Sequence, residues 1–212
     1  MDTSFITINT HSSIRLETKQ GTVIYVDPYG FTTEPHDADL ILVTHTHFDH
    51  FSPEDIVRVR RPHTAFAMPA TGKGDFAKAG FTSANAAFLA PYERVTLQGV
   101  EVEAVPAYNA NKRFHPKGNG WLGYVVCIDG VRVYIAGDTD DLPENREIAC
   151  DIALVPAGGT YTMDAREAAA FVNALKPSVA IPEHYGTVAG SADDGRTFAG
   201  LVDPGIEVVL KL

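Results

Sequence analysis

Cysteine is almost missing from these 212 residues: Cys127 and Cys150 are the only two. They have no C-x-x-C spacing, and each lies in or beside an apolar run, Val125–Ile128 and Ile148–Cys150. No disulfide framework follows from such a pair, which is expected to be buried and reduced. Long apolar runs are missing as well, and no stretch approaches the length of a membrane span. The opening Met1-Asp2-Thr3-Ser4 lacks the basic-then-apolar pattern of a secretion signal. The expectation is a soluble, cytoplasmic protein with no membrane partner. Basic residues are outnumbered, 17 Lys and Arg against 27 Asp and Glu, for a formal net charge of -10. Duplex nucleic acid and anionic membranes reward a basic face, so this balance argues against both. A small anionic substrate, held by a few local cations or by metal, stays open, and so does a homo-oligomer.

What is present is enough for a core. Hydrophobic residues make up 45% of the chain and charged residues 21%, which fits a single domain over residues 1–212. The most informative stretch is His45-Thr46-His47-Phe48-Asp49-His50, directly after the aliphatic run Leu40-Ile41-Leu42-Val43. A short aliphatic run bounded by polar residues reads as a buried strand. Three imidazoles and a carboxylate thus emerge together at a strand exit. Neutral imidazole nitrogen and carboxylate oxygen are the donors that zinc, iron and manganese take. The competing reading is a solvated, His-rich turn.

Other segments repeat the habit. Thr22–Val26 reads as a strand that ends at Asp27-Pro28, and Val131–Ala136 as one that ends at Gly137-Asp138. Asp129-Gly130 is a two-residue hairpin turn between Trp121–Ile128 and Val131–Ala136. Further strands are expected at 5–8, 13–16, 64–68, 95–97, 100–105, 151–156, 178–181 and 206–210. Helices are expected from Ser52-Pro53 to before Pro62, near 76–78, over 163–176 with a Thr162 cap, and near 193–202. His184 follows the strand at 178–181. An isolated Asp at a strand end is usually a turn cap. A set of metal-binding residue types at four strand ends is harder to explain that way, because strand-end loops are where layered α/β folds bind ligands. His11, His36 and His63 read as ordinary surface or turn residues.

On His45-x-His47-x-Asp49-His50, Gly137-Asp138-Thr139 and Pro182-Glu183-His184-Tyr185-Gly186-Thr187, the chain resembles the metallo-β-lactamase-fold metallohydrolases. Asp27 matches that family's early strand-end aspartate. Thr160-Tyr161-Thr162-Met163 and His184-Tyr185-Gly186-Thr187 look like the small branch related to the ascorbate-6-phosphate lactonases. The resemblance implies an α/β fold, a four-layer αββα sandwich of two mixed sheets with helices outside. It implies one or two divalent ions, zinc or manganese, with His45 and His47 on the first. Asp49, His50 and His184 would hold the second, Asp138 would bridge, and Asp27 would brace the histidine loop. The family's further imidazole for the first ion falls near Asn109, where this chain has none. His115, six residues on, is the alternative candidate.

Two divalent ions would lower the pKa of a water enough for attack on a carbonyl or phosphorus centre, with Asp49 and Asp138 as the catalytic carboxylates. Lys112, Arg113 and Lys117 flank His115 and read either as a solvated basic loop or as a clamp for a substrate anion. Tyr161 and Tyr185 either contact substrate or pack the rim. The expected activity is hydrolysis of a small anionic ester, a phosphodiester or a sugar-phosphate lactone. A nuclease and a non-catalytic metal-binding or regulatory module are the alternatives.

Overall fold

The computed structural model describes residues 1–212, the side chain of Ser83 excepted. The first half of the chain builds one six-stranded sheet from β1 (Ile6–Thr10), β2 (Ser13–Glu17), β3 (Val23–Val26), β4 (Ala38–Leu42), β5 (Arg60–Pro69) and β6 (Ala86–Leu89), in that spatial order. β1 to β3 pair antiparallel and β3 to β6 parallel. The second half repeats the plan in a seven-stranded sheet. There β7 (Arg94–Leu97), β8 (Val100–Pro106), β9 (Leu122–Ile128) and β10 (Val131–Ile135) are antiparallel. β10, β11 (Ile152–Pro156), β12 (Val179–Glu183) and β13 (Glu207–Val208) run parallel.

Strand alternation sorts the aliphatic residues into layers. Ile24, Val26, Leu40 and Leu42 face inward and meet Val102, Tyr124, Val126 and Leu154 of the other sheet. Val23, Tyr25 and Ile41 face outward, under α1 (Pro53–Val59) and α2 (Lys73–Lys78). On the far side, Val125, Tyr134 and Val155 lie under α3 (Ala165–Leu175) and α4 (Asp194–Ala199). The result is the expected αββα sandwich. Two hydrogen bonds stitch its sheets together at one end: Leu122 N–H donates to the Thr44 carbonyl (3.0 Å), and the Tyr124 hydroxyl to that of Val43 (2.7 Å).

Several local expectations need correction. The cap of α3 is Asp164, not Thr162: its carboxylate accepts from the N–H groups of Arg166 and Glu167, while Glu167 reaches back to the Asp164 N–H. That reciprocal box satisfies more orphan donors than a lone hydroxyl could. β5 starts at Arg60 and contains Pro62, tolerated because the ladder with β4 is irregular between Ala38 and Leu40. β6 was not foreseen, and the C-terminal strand shrinks to Glu207–Val208. Both cysteines are free, but half-buried rather than buried. Among the described residues, no helix is long and apolar enough to cross a membrane.

Candidate metal centre

The centre forms where strand exits of both sheets converge. From the first sheet, Asp27 leaves β3 in the left-handed region (φ 46°) and turns its carboxylate under the next exit. It accepts from the Thr44 N–H (2.8 Å), the Thr44 hydroxyl (2.5 Å) and the His50 Nδ1–H (2.7 Å). This is the brace the sequence suggested. Thr44 Oγ1 lies 3.0 Å from His45 Nδ1, so one carboxylate orders the loop that carries both imidazoles.

The second sheet supplies three more groups. Gly137 (φ 63°) lets the chain turn after β10, where a Cβ would sit 2.8 Å from the Leu122 carbonyl oxygen, and so aims Asp138 inward. His184 leaves β12 with φ 58°, its carbonyl so close to Gly158 that a Cβ there would stand 2.2 Å from it. His115 does reach back to the centre. Asn109, at the position lacking an imidazole, accepts through Oδ1 from both His115 N–H (2.9 Å) and His115 Nδ1–H (3.1 Å). Its Nδ2 donates to Asp140 (3.1 Å) and to the Tyr161 carbonyl (2.9 Å), which settles the orientation of its amide.

Two clusters result. In the first, His45, His47, His115 and Asp138 offer ligand atoms within 4.8 Å of one another. His45 Nε2 lies 3.1 Å from His47 Nδ1, and Asp138 Oδ2 is 3.0 Å from His115 Nε2 and 3.8 Å from His45 Nε2. In the second, the members are His11, Asp49, His50 and His184. Asp138 Oδ1 is 3.3 Å from Nε2 of both His50 and His184, so this carboxylate stands between the clusters. Ligands on a zinc-sized ion are roughly 3–3.5 Å apart, given bonds of ~2.0–2.1 Å. The donors fit. Nε2 of His11, His50, His115 and His184 and Oδ1 of Asp138 are buried, with no hydrogen-bond partner outside the two clusters. Meanwhile Nδ1 of His11, His45, His50 and His115 each meets an oxygen, on Thr187, Thr44, Asp27 and Asn109. Rings held by Nδ1 with Nε2 free are the usual presentation of metal-binding histidine.

The electrostatics agree. Burial disfavours charge on His50, but Asp138, Asp27 and Asp49 outweigh it and raise its pKa to about 10. Burial likewise opposes ionisation of Asp138, yet the imidazoles of His184 and His50 hold its carboxyl well below the usual range. Burial and the neighbouring His50 push His45 well down. The carboxylates thus favour positive charge among them, which is what raises the pKa of His50.

Sequence reasoning missed two members. His11 is no surface residue: it is fully buried in the two-residue turn between β1 and β2, with φ 52°. Its Nε2 is 3.2 Å from Asp49 Oδ2, its ring centroid 3.8 Å from that of His184, and its carbonyl accepts the His184 N–H (3.2 Å). A hairpin turn carrying His-Ser in place of the usual Gly or Asn was the available signal. Trp121, read only as a strand residue, packs 4.8 Å from the rings of both His45 and His47. His36 and His63 are exposed, as expected.

The proposed clamp is not assembled. Lys112 is engaged by Asp140 (2.6 Å) and Glu167 (3.5 Å), and Lys117 by the Tyr108 hydroxyl (3.1 Å) and Glu144 (3.6 Å). Arg113 is exposed, 5.8 Å from the Phe114 ring. Lys112 and Lys117 serve nearby carboxylates because an acidic protein offers them closer partners than the cavity does. Tyr161 is at the rim, but Tyr185 is buried in the core under α4, its ring filling the space a Cβ on Gly195 would need.

Residues 5–184 match the model of the beta-lactamase superfamily domain. The UPF0173 metal-dependent hydrolase of Thermococcus kodakarensis is 34% identical over 200 residues, 88% of each chain. A crystal structure assigned as a metal-dependent hydrolase from Parabacteroides distasonis is similar at TM-score 0.81 and 33% identity, covering 98% of this chain and 92% of that one. Igni18, a metallo hydrolase from Ignicoccus hospitalis, is similar at TM-score 0.74 and 26% identity, over 97% and 93% of the two chains. Fold, strand-exit residues and these matches along most of the chain agree, and the protein belongs to the beta-lactamase superfamily domain family, among its UPF0173 metal-dependent hydrolases.

Proposed function

We propose that the protein hydrolyses a small ester-type bond at a centre of two divalent ions, for which zinc or manganese suits a donor set of imidazole and carboxylate. One observation carries this reading: four imidazole Nε2 atoms are buried with no hydrogen-bond partner but the carboxylates of Asp138 and Asp49. His45, His47, His115 and Asp138 would hold one ion. Asp49, His50 and His184 would hold the other together with the far oxygen of Asp138, and His11 adds a fourth imidazole to that side. The ions, when bound, lower the pKa of a coordinated water and stabilise negative charge developing on the substrate.

The chain's own contribution is placement. Asp49 lies on the cavity floor, where its carboxylate orients the attacking water and accepts its proton. Asp27 and Asn109 hold the rings of His50 and His115, and Trp121 covers His45 and His47 against solvent. The narrower expectation, a phosphodiester or sugar-phosphate lactone as in the ascorbate-6-phosphate lactonase resemblance, has the motifs at 160–163 and 184–187 in its favour. Of its three cations, Arg113 alone is free of a carboxylate partner.

Metal analysis combined with turnover tests the reading. The protein should bind two ions and hydrolyse at least one of a set of carboxylic esters, thioesters, lactones and phosphodiesters. His45→Ala and His184→Ala should each lose one ion and most of the activity. Tight stoichiometric metal with no turnover across that set would instead make the protein a metal-binding module.

A further inference from the structure

The cavity over the metal centre has a volume of about 230 Å³ and two unlike parts. Its floor is made of the imidazoles and carboxylates already described. Its rim is Phe48, Phe114, Tyr161 and Val188, and no Lys or Arg lines it. Phe48 stands between His47 and Asp49 and is 65% exposed, its ring meeting that of Tyr29 edge-on at 6.0 Å. Tyr161 and Val188 are 36% and 38% exposed. Phe114 meets Tyr161 edge-to-face at 4.8 Å, and the Asn109 amide ties the Tyr161 carbonyl to the same residue that orients His115. This side of the mouth therefore keeps a set distance from the proposed ions.

Large apolar side chains grouped in water around a polar floor mark a place where something apolar is to be covered. Packing within the protein does not account for Phe48, which stays mostly exposed. Charge points the same way. The wall offers no Lys or Arg to pair with an anionic substituent held away from the ions. The volume falls below the ~300–1,000 Å³ of clefts for drug-sized molecules, so the occupant is small.

We propose that this rim is the subsite for the non-reacting part of the substrate, and that this part is neutral and apolar. The substrate class is a small carboxylic ester, thioester or lactone bearing an aryl ring or a branched alkyl chain. This rests on the hydrolytic reading above and narrows it. Water adds to the acyl carbon, the bond to the alcohol, thiol or ring oxygen breaks, and the proton passes by way of Asp49 to the leaving atom. No other reactant is needed.

The test uses the full, zinc-loaded protein and matched pairs: phenyl butyrate against the phenyl half-ester of succinic acid, and a neutral alkyl lactone against a phosphorylated one. The neutral member should be favoured about tenfold or more in kcat/KM. Phe48→Ala should raise KM for the aryl and alkyl substrates about tenfold while leaving kcat and bound zinc unchanged. Val188→Lys should shift preference toward the anionic members. Preference for the anionic partners, lost on Arg113→Ala, would overturn the proposal while leaving the hydrolytic reading intact. A second measurement is independent of turnover: calorimetric binding of phenylbutanoic hydroxamate against the hydroxamate of succinic acid. Tighter binding of the first, without turnover of any ester, would sink the hydrolytic reading and keep the apolar subsite. Equal or weaker binding of the first would sink the subsite.

Discussion

Asn109 works on His115 from both ends, holding its ring and its backbone N–H with one oxygen. Removing that oxygen frees the ring to turn. Asn109→Ala should weaken the ion of the first cluster about 10- to 100-fold, read by competition with a coloured chelator, and leave the second nearly unchanged. His115→Ala should abolish the first site outright; unchanged metal content would remove this histidine from the centre. The lone tryptophan offers a direct optical reading, since Trp121 packs on two proposed ligands of one ion. Adding Ni²⁺ or Co²⁺ to metal-free protein should quench its emission in a titration that breaks at the first site's stoichiometry. No quenching would place the ion elsewhere. The residues legible beforehand were those whose neighbours in the chain already spelled out a donor set, His45 to His50 above all. His11 was not, because its partners Asp49, Thr187 and His184 come from the other end of the chain or from across the sheet.

Strand exits carry the centre, and their tightness can be measured. Gly158 follows β11 so close to the exit of β12 that any side chain would collide with the His184 carbonyl. Gly158→Ala should cost about 1–3 kcal/mol in urea unfolding and weaken the second ion, whereas Gly118→Ala, which meets nothing within 4 Å, should do neither. Most strands and helices were readable because each has its own period or stop signal: the Asp129-Gly130 turn, the Ser52-Pro53 start, the aliphatic runs. β6 escaped because Ala86-Ala87-Phe88-Leu89 is too short to show alternation, and becomes a strand only by pairing beside β5. Thr162 was a plausible cap until Asp164 and Glu167 could be seen to satisfy each other's backbone. The cations of the 112–117 loop misled for a related reason. Their partners, Asp140, Glu144 and Glu167, lie far along the sequence and take them before any substrate could.

At the scale of the molecule, the two sheets share a plan that no sequence repeat announces, because burial pattern and not residue identity builds it. The first sheet brings His11, His45, His47, Asp49 and His50 to the centre, and the second brings His115, Asp138 and His184. Ions held from both sides stabilise only the docked form. At free metal about 100 times its dissociation constant the gain is ~2.7 kcal/mol, which for a chain of this size corresponds to a melting temperature ~5–10 °C above that of chelator-treated protein. Equal melting temperatures would mean that the ions do not bridge the sheets. The Tyr124 hydroxyl, buried and bonded to the Val43 carbonyl just before the histidine loop, acquires a new meaning in this light. The sandwich interior is a spacer, and its thickness at that point sets the bite of the metal centre as a washer sets a gap. Tyr124→Phe touches no proposed ligand, yet beyond a loss of about 1 kcal/mol in stability it should loosen both ions together, where Asn109→Ala loosens one.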